Sequence, residues 1–337
     1  MPEVGARRWI VSGGDHGVGE RCTPAVPTGR SPERVLQVLL GALWIADGML
    51  QLQPSMFSRA FVTGQLLPVA QGNPAAVAGP ITAIGRFLEP HIALWNALFA
   101  AIQLAIGVGL LVQRTVRPAL AVSFAWSLGV WWFAEGFGGL LTGTASPLTG
   151  APGAVLLYVL IGIAAWPRCA RDRDRGVGSG VGLFGARGAR GVWALLWVGS
   201  AALLLQPANL AGGALRSALV AAEGGQPRWY AWILARAADA VGRHGTVLTL
   251  AVAVEMLVVG AGVALGWRSA GVLGAAIVVA TAIWVFPEGL GGILTGRGTD
   301  PNTGPLLALA GLAWYRSRPE PWSDEMVVTP ADVAVAA

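Results

Sequence analysis

The nine residues EGFGGLLTG at 135–143 return as EGLGGILTG at 288–296, and that recurrence constrains the fold more than any other feature of the chain. Glu135 and Glu288 differ by 153 positions, and so do His91 and His244, Pro54 and Pro207, Trp44 and Trp197, Gln53 and Gln206, Gly107 and Gly260, and Trp131 and Trp284. Past the motif the offset becomes 154, where Pro147, Thr149 and Gly150 meet Pro301, Thr303 and Gly304. Residue types that agree at one fixed offset over such a length mark a duplication, so two copies of one unit are expected.

Apolar runs recur at 92–112, 119–134, 154–166, 192–205, 247–267, 272–286 and 306–314. About 20 apolar residues cross a bilayer, and flanking Trp and tilt shorten the requirement. Only 12% of the residues are charged, against about a quarter in soluble domains. The fold expected is therefore all-α: a polytopic membrane protein of about eight transmembrane helices, arranged as two parallel four-helix repeats with pseudo-twofold symmetry about the membrane normal. The expected segments are a flexible leader at 1–33, a first repeat at 34–167, a basic linker at 168–190, a second repeat at 191–315 and a tail at 316–337. In the first repeat, helix one covers about 33–52, short surface-lying helices fill 55–86, helix two covers 90–112, helix three ends near Glu135, and helix four returns to Arg168.

The net charge of +5 comes from arginine, since the chain has no lysine. Arginines gather in the leader (Arg7, Arg8, Arg21, Arg30, Arg34), the linker (Arg168, Arg171, Arg173, Arg175, Arg187, Arg190) and the tail (Arg316, Arg318). Positive-inside bias places all three in the cytoplasm of a multi-pass cell-membrane protein. The linker interleaves Asp172 and Asp174 and has no aromatic platform, so membrane lipids and a membrane or cytoplasmic partner subunit are the expected partners, and nucleic acid is not. Residues 1–33 lack the apolar core of a secretory signal. Cys22 and Cys169 both fall in segments assigned to the cytoplasm, so neither a disulfide nor a thiolate metal site is expected.

Helical rise converts residue counts into depth. Glu135 is 18 residues past Arg117, about 27 Å along a helix, so it nears the far side of a ~30 Å hydrocarbon layer. The same sum carries Gln53 and His91, and in the second copy Gln206, His244 and Glu288, to one outer level. His91 with Glu135, and His244 with Glu288, then admit three meanings: a hydrogen bond tying two helices, a site where two imidazoles and two carboxylates hold a divalent metal such as Zn or Fe, or bis-His ligation of haem. Asp47 and Glu255 lie about 20 Å deep and break the symmetry, facing Ser200 and Ile102 in the other copy. Intramembrane carboxylates face bundle interiors and mark proton or ligand contacts. The glycines of EGxGGxLTG allow a tight turn bordering a cavity, with Gln53, Gln206, Trp131, Trp132, Thr142 and Thr295 as candidate ligand contacts. DPNTG at 300–304 reads as a turn, and its partner SPLTG lacks the acid. No P-loop, HExxH or GxSxG with partners is present.

The runs LLGALWIADGMLQLQPSMF (39–57), IQLAIGVGLLVQRTVRPAL (102–120) and EMLVVGAGVALGWRSAGVL (255–273) resemble the DoxX and DoxD family of four-helix membrane proteins. The resemblance implies one such bundle per copy and, because some members are small subunits of thiosulfate:quinone oxidoreductase, an accessory or quinone-linked redox subunit with an outer-leaflet pocket. The alternative from the residues themselves is a binding or transport protein for a small apolar or anionic solute.

Overall fold

The structure is a computed structural model that describes residues 32–167, 182–267 and 269–316. The leader up to residue 31, most of the basic linker, both cysteines and the tail from 317 lie outside the described residues. Among those described, eleven α-helices of nine residues or more are present and no strand. The first unit holds α1 (Pro32–Leu50), α2 (Ala75–Leu88), α3 (Ile92–Leu111), α4 (Val116–Phe133) and α5 (Ala154–Ala164). The second holds α6 (Gly185–Leu204), α7 (Ala214–Ala222), α8 (Arg228–Val241), α9 (Gly245–Ala264), α10 (Ala270–Val285) and α11 (Thr303–Arg316).

Adding 153 to the bounds of α2 and α3 returns those of α8 and α9 to the residue. After EGxGGxLTG the register changes. Gly162 packs against Leu120 while Gly311 packs against Leu273, so the last helices are related by an offset of 149. The sequence offset of 154 therefore holds only for the turn at 147–150, and the first unit spends five more residues before its last helix begins.

Three runs are long and apolar enough to cross a membrane: Ala75–Leu111, Arg228–Ala264 and Ala270–Thr295. Their outward faces carry many exposed aliphatic side chains, together with Phe87, Trp229 and Trp232. Leu94 and Leu195 are each 71% exposed and Val278 65%. An exterior of that kind belongs in lipid rather than water. Residues 75–88 form one helix, α2, which a single 3-10 turn at Glu89–His91 joins to α3; the backbone leaves helical angles at His91 (φ −125°, ψ 31°), and Pro90 takes a tolerated first-turn position. The helical part of the fourth element is short, eleven residues in α5 or about 16 Å, so a crossing there also uses the largely non-helical backbone before and after it.

Within each unit the first and third long helices pack most closely. A Cβ on Gly107 would lie 2.8 Å from the Gly41 carbonyl, so glycine is what lets α1 and α3 approach. At one end, Arg34 donates to the carbonyls of Leu110 (2.9 Å) and Leu111, and Arg117 donates to Pro167 (3.3 Å), so arginines satisfy the open carbonyls where α3 and the α5 segment finish. At the other end the units clasp each other. Gln53 donates to the Gly298 carbonyl (3.2 Å) and Ser55 to that of Gly296, while Asn209 donates to Ala145 (2.8 Å). Between the units, Leu157, Tyr158 and Ile161 of α5 share a buried cluster with Leu306, Leu307 and Leu309 of α11.

Candidate functional site

The repeated motif is a left-handed turn. Gly136, Phe137, Gly138 and Gly139 all have φ between 54° and 69°, and Gly289, Leu290, Gly291 and Gly292 repeat this between 55° and 67°. Four successive residues there disfavour any side chain with a Cβ, which explains three glycines in four positions. The turn is closed by Thr142, whose hydroxyl donates to the Gly139 carbonyl (2.7 Å), and by Thr295 onto Gly292 (2.6 Å).

The reversal returns the chain so that the glutamate meets the start of the next helix. Glu135 accepts from the Val155 N–H (3.2 Å) at the head of α5, and Glu288 accepts from the Gly304 N–H (3.2 Å) and the Thr303 hydroxyl at the head of α11. A carboxylate there satisfies open N–H groups and suits the positive end of the helix. The units differ in what is left over. Both oxygens of Glu288 are bonded, whereas Glu135 Oε2 is buried without a partner.

Glu135 stands between two cavities. On one side is a polar vestibule of about 500 Å³, bordered by Asn73, Thr142, Thr149, Arg297, Thr299 and Asp300 among others. On the other is a cavity of about 470 Å³ with seven rings in its lining: Trp44, Phe61, Phe87, Trp95, Phe99, Trp126 and Phe133. Gln65, Glu135, Thr299 and Asp300 border both spaces. Phe87 is 61% exposed, so the ring-lined cavity also reaches the lipid-facing exterior. Asp47, Gln51 and Gln103 bring polar atoms to its wall.

Asp300 comes from the second unit. Its carboxylate accepts from the Asn302 N–H (2.7 Å) and the Thr299 hydroxyl (2.8 Å), the turn that DPNTG encodes. Ser146 holds the same turn in the first unit by accepting from the Leu148 N–H (3.3 Å). One turn thus carries an acid in one copy and a hydroxyl in the other. Burial raises Asp300 above the usual carboxylate range against the pull of its two hydrogen bonds. Burial, and then the neighbouring Asp300 charge, pushes Glu135 up to about 8 against the N–H groups of Val155 and Ala154. Asp47 and Tyr158 complete the cluster. Tyr158 faces Asp47 without closing a well-formed hydrogen bond, and Asp47 Oδ1 has no partner.

The histidines do not join this cluster. His91 and His244 lie exposed on the 3-10 turns that open α3 and α9, neither lines either of these two cavities, and the partner of Glu135 is Val155 rather than His91. Counting rise along a helix gives depth but not direction around the axis, and their direction is outward. Among the described residues no group of three or more His, Cys, Asp and Glu converges as metal ligands, so the four-residue metal site expected from His91, Glu135, His244 and Glu288 does not form. Neither unit therefore offers the histidine and glutamate pair that the depth sums suggested.

The other expected contacts are mostly structural. Gln53 is used in the clasp, and Gln206 leaves its Oε1 buried and unpaired. Trp131 donates to the Pro152 carbonyl (2.8 Å), and Trp132 stacks on Phe133 outside the cavity. Thr142 borders the vestibule as it closes its turn, Thr295 only closes its own, and Glu255 sits half-buried on α9 away from both cavities. Asp300, Tyr158, Trp95, Phe99 and Trp126 were not singled out in advance. The signal that identifies most of them is difference between the copies at matched positions. No family model matches the chain, and no curated protein and no solved structure matches it either.

Proposed function

We propose that this chain is a cell-membrane protein of two parallel four-crossing units whose first unit binds a small, ring-bearing apolar ligand at the outer leaflet. One observation carries the reading: a cavity of about 470 Å³ lined by seven aromatic residues, open to lipid at Phe87 and to a polar vestibule past Glu135. Pockets of this size and lining suit small apolar molecules. Eight crossings, with leader, linker and tail on the cytoplasmic side, agree with arginines at one end of the helices and the clasped turns at the other.

The resemblance to DoxX-like subunits makes a quinone one such ligand, in an accessory or redox-linked role. Its carbonyls need donors, and the buried indole N–H groups of Trp44 and Trp126 lack partners, with Gln103 beside them. A bound quinone would supply a two-electron, two-proton carrier, and these residues would orient it. Transport of an apolar solute is the alternative. An anionic solute is disfavoured, because the wall already carries Asp47, Glu135 and Asp300. A partner subunit docking on the basic linker is a further part of this reading.

Lipid extracts of the purified protein, examined by mass spectrometry, should contain a stoichiometric quinone or other ring-bearing lipid. Added short-chain quinone should quench tryptophan emission saturably in the wild type, and by less in Trp126→Ala, which removes one of the three indoles of the cavity wall. Extracts without such a compound, together with quenching in the wild type that never saturates, would remove the reading.

A further inference from the structure

Among the described residues, three carboxylates and no cation face the ring-lined cavity. Asp47 comes from α1, Glu135 from the turn after α4 and Asp300 from the second unit, and Tyr158 from α5 stands beside them. Neither α3 nor α4 contributes a charged group to the wall, and no Arg or His is part of it. Arg297 borders only the vestibule and is exposed there. None of the three acids takes part in an ion pair with another described residue, and Asp47 and Glu135 each keep one buried oxygen without a partner. Asp47 itself is 3% exposed.

Buried acids held close together repel one another when ionised, and a buried carboxylate without a counter-charge is costly. Aromatic faces attract cations most strongly where water is excluded. Phe99 and Trp126 stand 5.5 Å apart and Phe87 and Trp95 5.4 Å, so ring faces border the same space as the acids. We propose that the cavity takes a lipophilic organic cation, its apolar groups among these rings and its charge held by Asp47 with Glu135 and Asp300 near the vestibule. The inference rests on the reading of this cavity as a ligand site and adds the charge of the ligand. Because Glu135 holds its proton up to about 8, the cation displaces a proton when it binds.

The second unit has no equivalent. The positions matching Asp47, Gln103, Phe99 and Trp126 are Ser200, Met256, Val252 and Val279, and Met256 and Val279 are buried in an apolar cluster. One cation per chain is the stoichiometry this gives.

Equilibrium dialysis of the purified full-length protein in detergent, corrected for empty micelles, tests the proposal with three probes of similar aryl content: tetraphenylphosphonium, neutral triphenylphosphine and anionic tetraphenylborate. The cation should bind at one site per chain, at least tenfold tighter than the neutral probe, and the anion should not compete. Cation affinity should rise between pH 6 and pH 8 by up to tenfold per unit and then level off. Asp47→Asn should remove the preference for the cation while leaving the neutral probe bound. Where Asp47→Asn fails to fold, Gly129→Leu serves instead. Gly129 is part of the cavity wall and a Cβ there meets no atom within 4 Å, so this variant should block both probes in a folded protein. Equal binding of neutral and cationic probes, independent of pH, overturns the charge assignment and leaves the cavity a ligand site. Binding of neither probe overturns both.

Discussion

Unit one and unit two share helix bounds to the residue over α2–α3 and α8–α9, yet at matched positions they bury opposite kinds of side chain. Trp126 and Phe99 line a space between α3 and α4, whereas in the second unit the matching Val279 is buried in the core cluster and Val252 packs half-buried against it. Gln103 and Asp47 bring polar atoms to that space, and Met256 and Ser200 replace them. The second unit contributes one group to the first, the Asp300 carboxylate, from a turn whose counterpart has only Ser146. A duplicated bundle needs each interface made twice but needs a ligand site only once. One copy is thus free to place apolar side chains at these positions and supply packing, while the other keeps polar atoms that weaken its core.

The comparison breaks most visibly at the turns. A Cβ on Gly138 would lie 2.1 Å from the Pro152 carbonyl oxygen, while one on Gly291 would lie 2.8 Å from that of Asp300. Gly138→Ala adds this backbone overlap to the left-handed penalty, about 3 kcal/mol or more together, and should abolish folding or lower the melting temperature steeply in detergent. Gly291→Ala should cost less, and Gly139→Ala, with only Thr142 near 3.8 Å, no more than about 1–2 kcal/mol. Equal melting shifts for Gly138→Ala and Gly139→Ala would show that the turn is not held against Pro152.

The two glutamates separate next. Glu288→Ala strands the Thr303 hydroxyl and the Gly304 N–H in a buried site, a loss of about 1–3 kcal/mol that a melting curve reads directly. Glu135→Gln should melt near the wild type, because an amide oxygen still accepts from Val155 and the other carboxylate oxygen had no partner to lose. The reverse order of stabilities would mean that the acid in the first unit is structural and the one in the second is not.

Much of this was legible beforehand, and the failures have physical causes. The duplication and the long helices follow from apolar runs at a constant offset, and Asp47 and Glu135 were found because depth makes a carboxylate unusual. The same depth sum misplaced His91, since it says nothing of azimuth and the 3-10 turn at Glu89–His91 directs that side chain outward. Asp300 was read as a turn residue, and it is one; nothing local distinguishes a solvated Asp turn from one that lines a cavity. Its loss from the other copy was the usable sign. Tyr158 stayed hidden because the offset falls to 149 beyond the motif, so its counterpart is Leu307 and the pair cannot be aligned without the contacts of Gly162 and Gly311.

Acidity gives the next prediction. Glu135 binds its proton more tightly in the folded chain than an unfolded carboxyl does, so its contribution to stability is complete below the ordinary carboxylate range and is lost as pH rises toward about 8. Asp300 adds the same sign. The ligand-free protein should therefore melt progressively lower from pH 5 to pH 8, by at most about 1.4 kcal/mol per unit for each proton, and change little beyond. Glu135→Gln should flatten that slope. A slope unchanged in Glu135→Gln would assign the pH response to other groups.

The smallest effect belongs to Gly129, whose counterpart is Ala282. Glycine within α4 costs about 1 kcal/mol of helix stability relative to a good helix former, and in a packed interior a larger side chain would have nowhere to go. Gly129 is part of the cavity wall, and a Cβ there meets nothing within 4 Å, so added atoms have open space to occupy. Gly129→Leu should hence raise the melting temperature of the ligand-free protein by the equivalent of about 1 kcal/mol while ligand binding is lost. Gain and loss in the same variant are what an empty space kept for a ligand requires, because filling a void that served only packing would stabilise the chain at no functional cost. Destabilisation by Gly129→Leu would mean that the first unit is as tightly filled as the second, and the contrast between the two units would disappear.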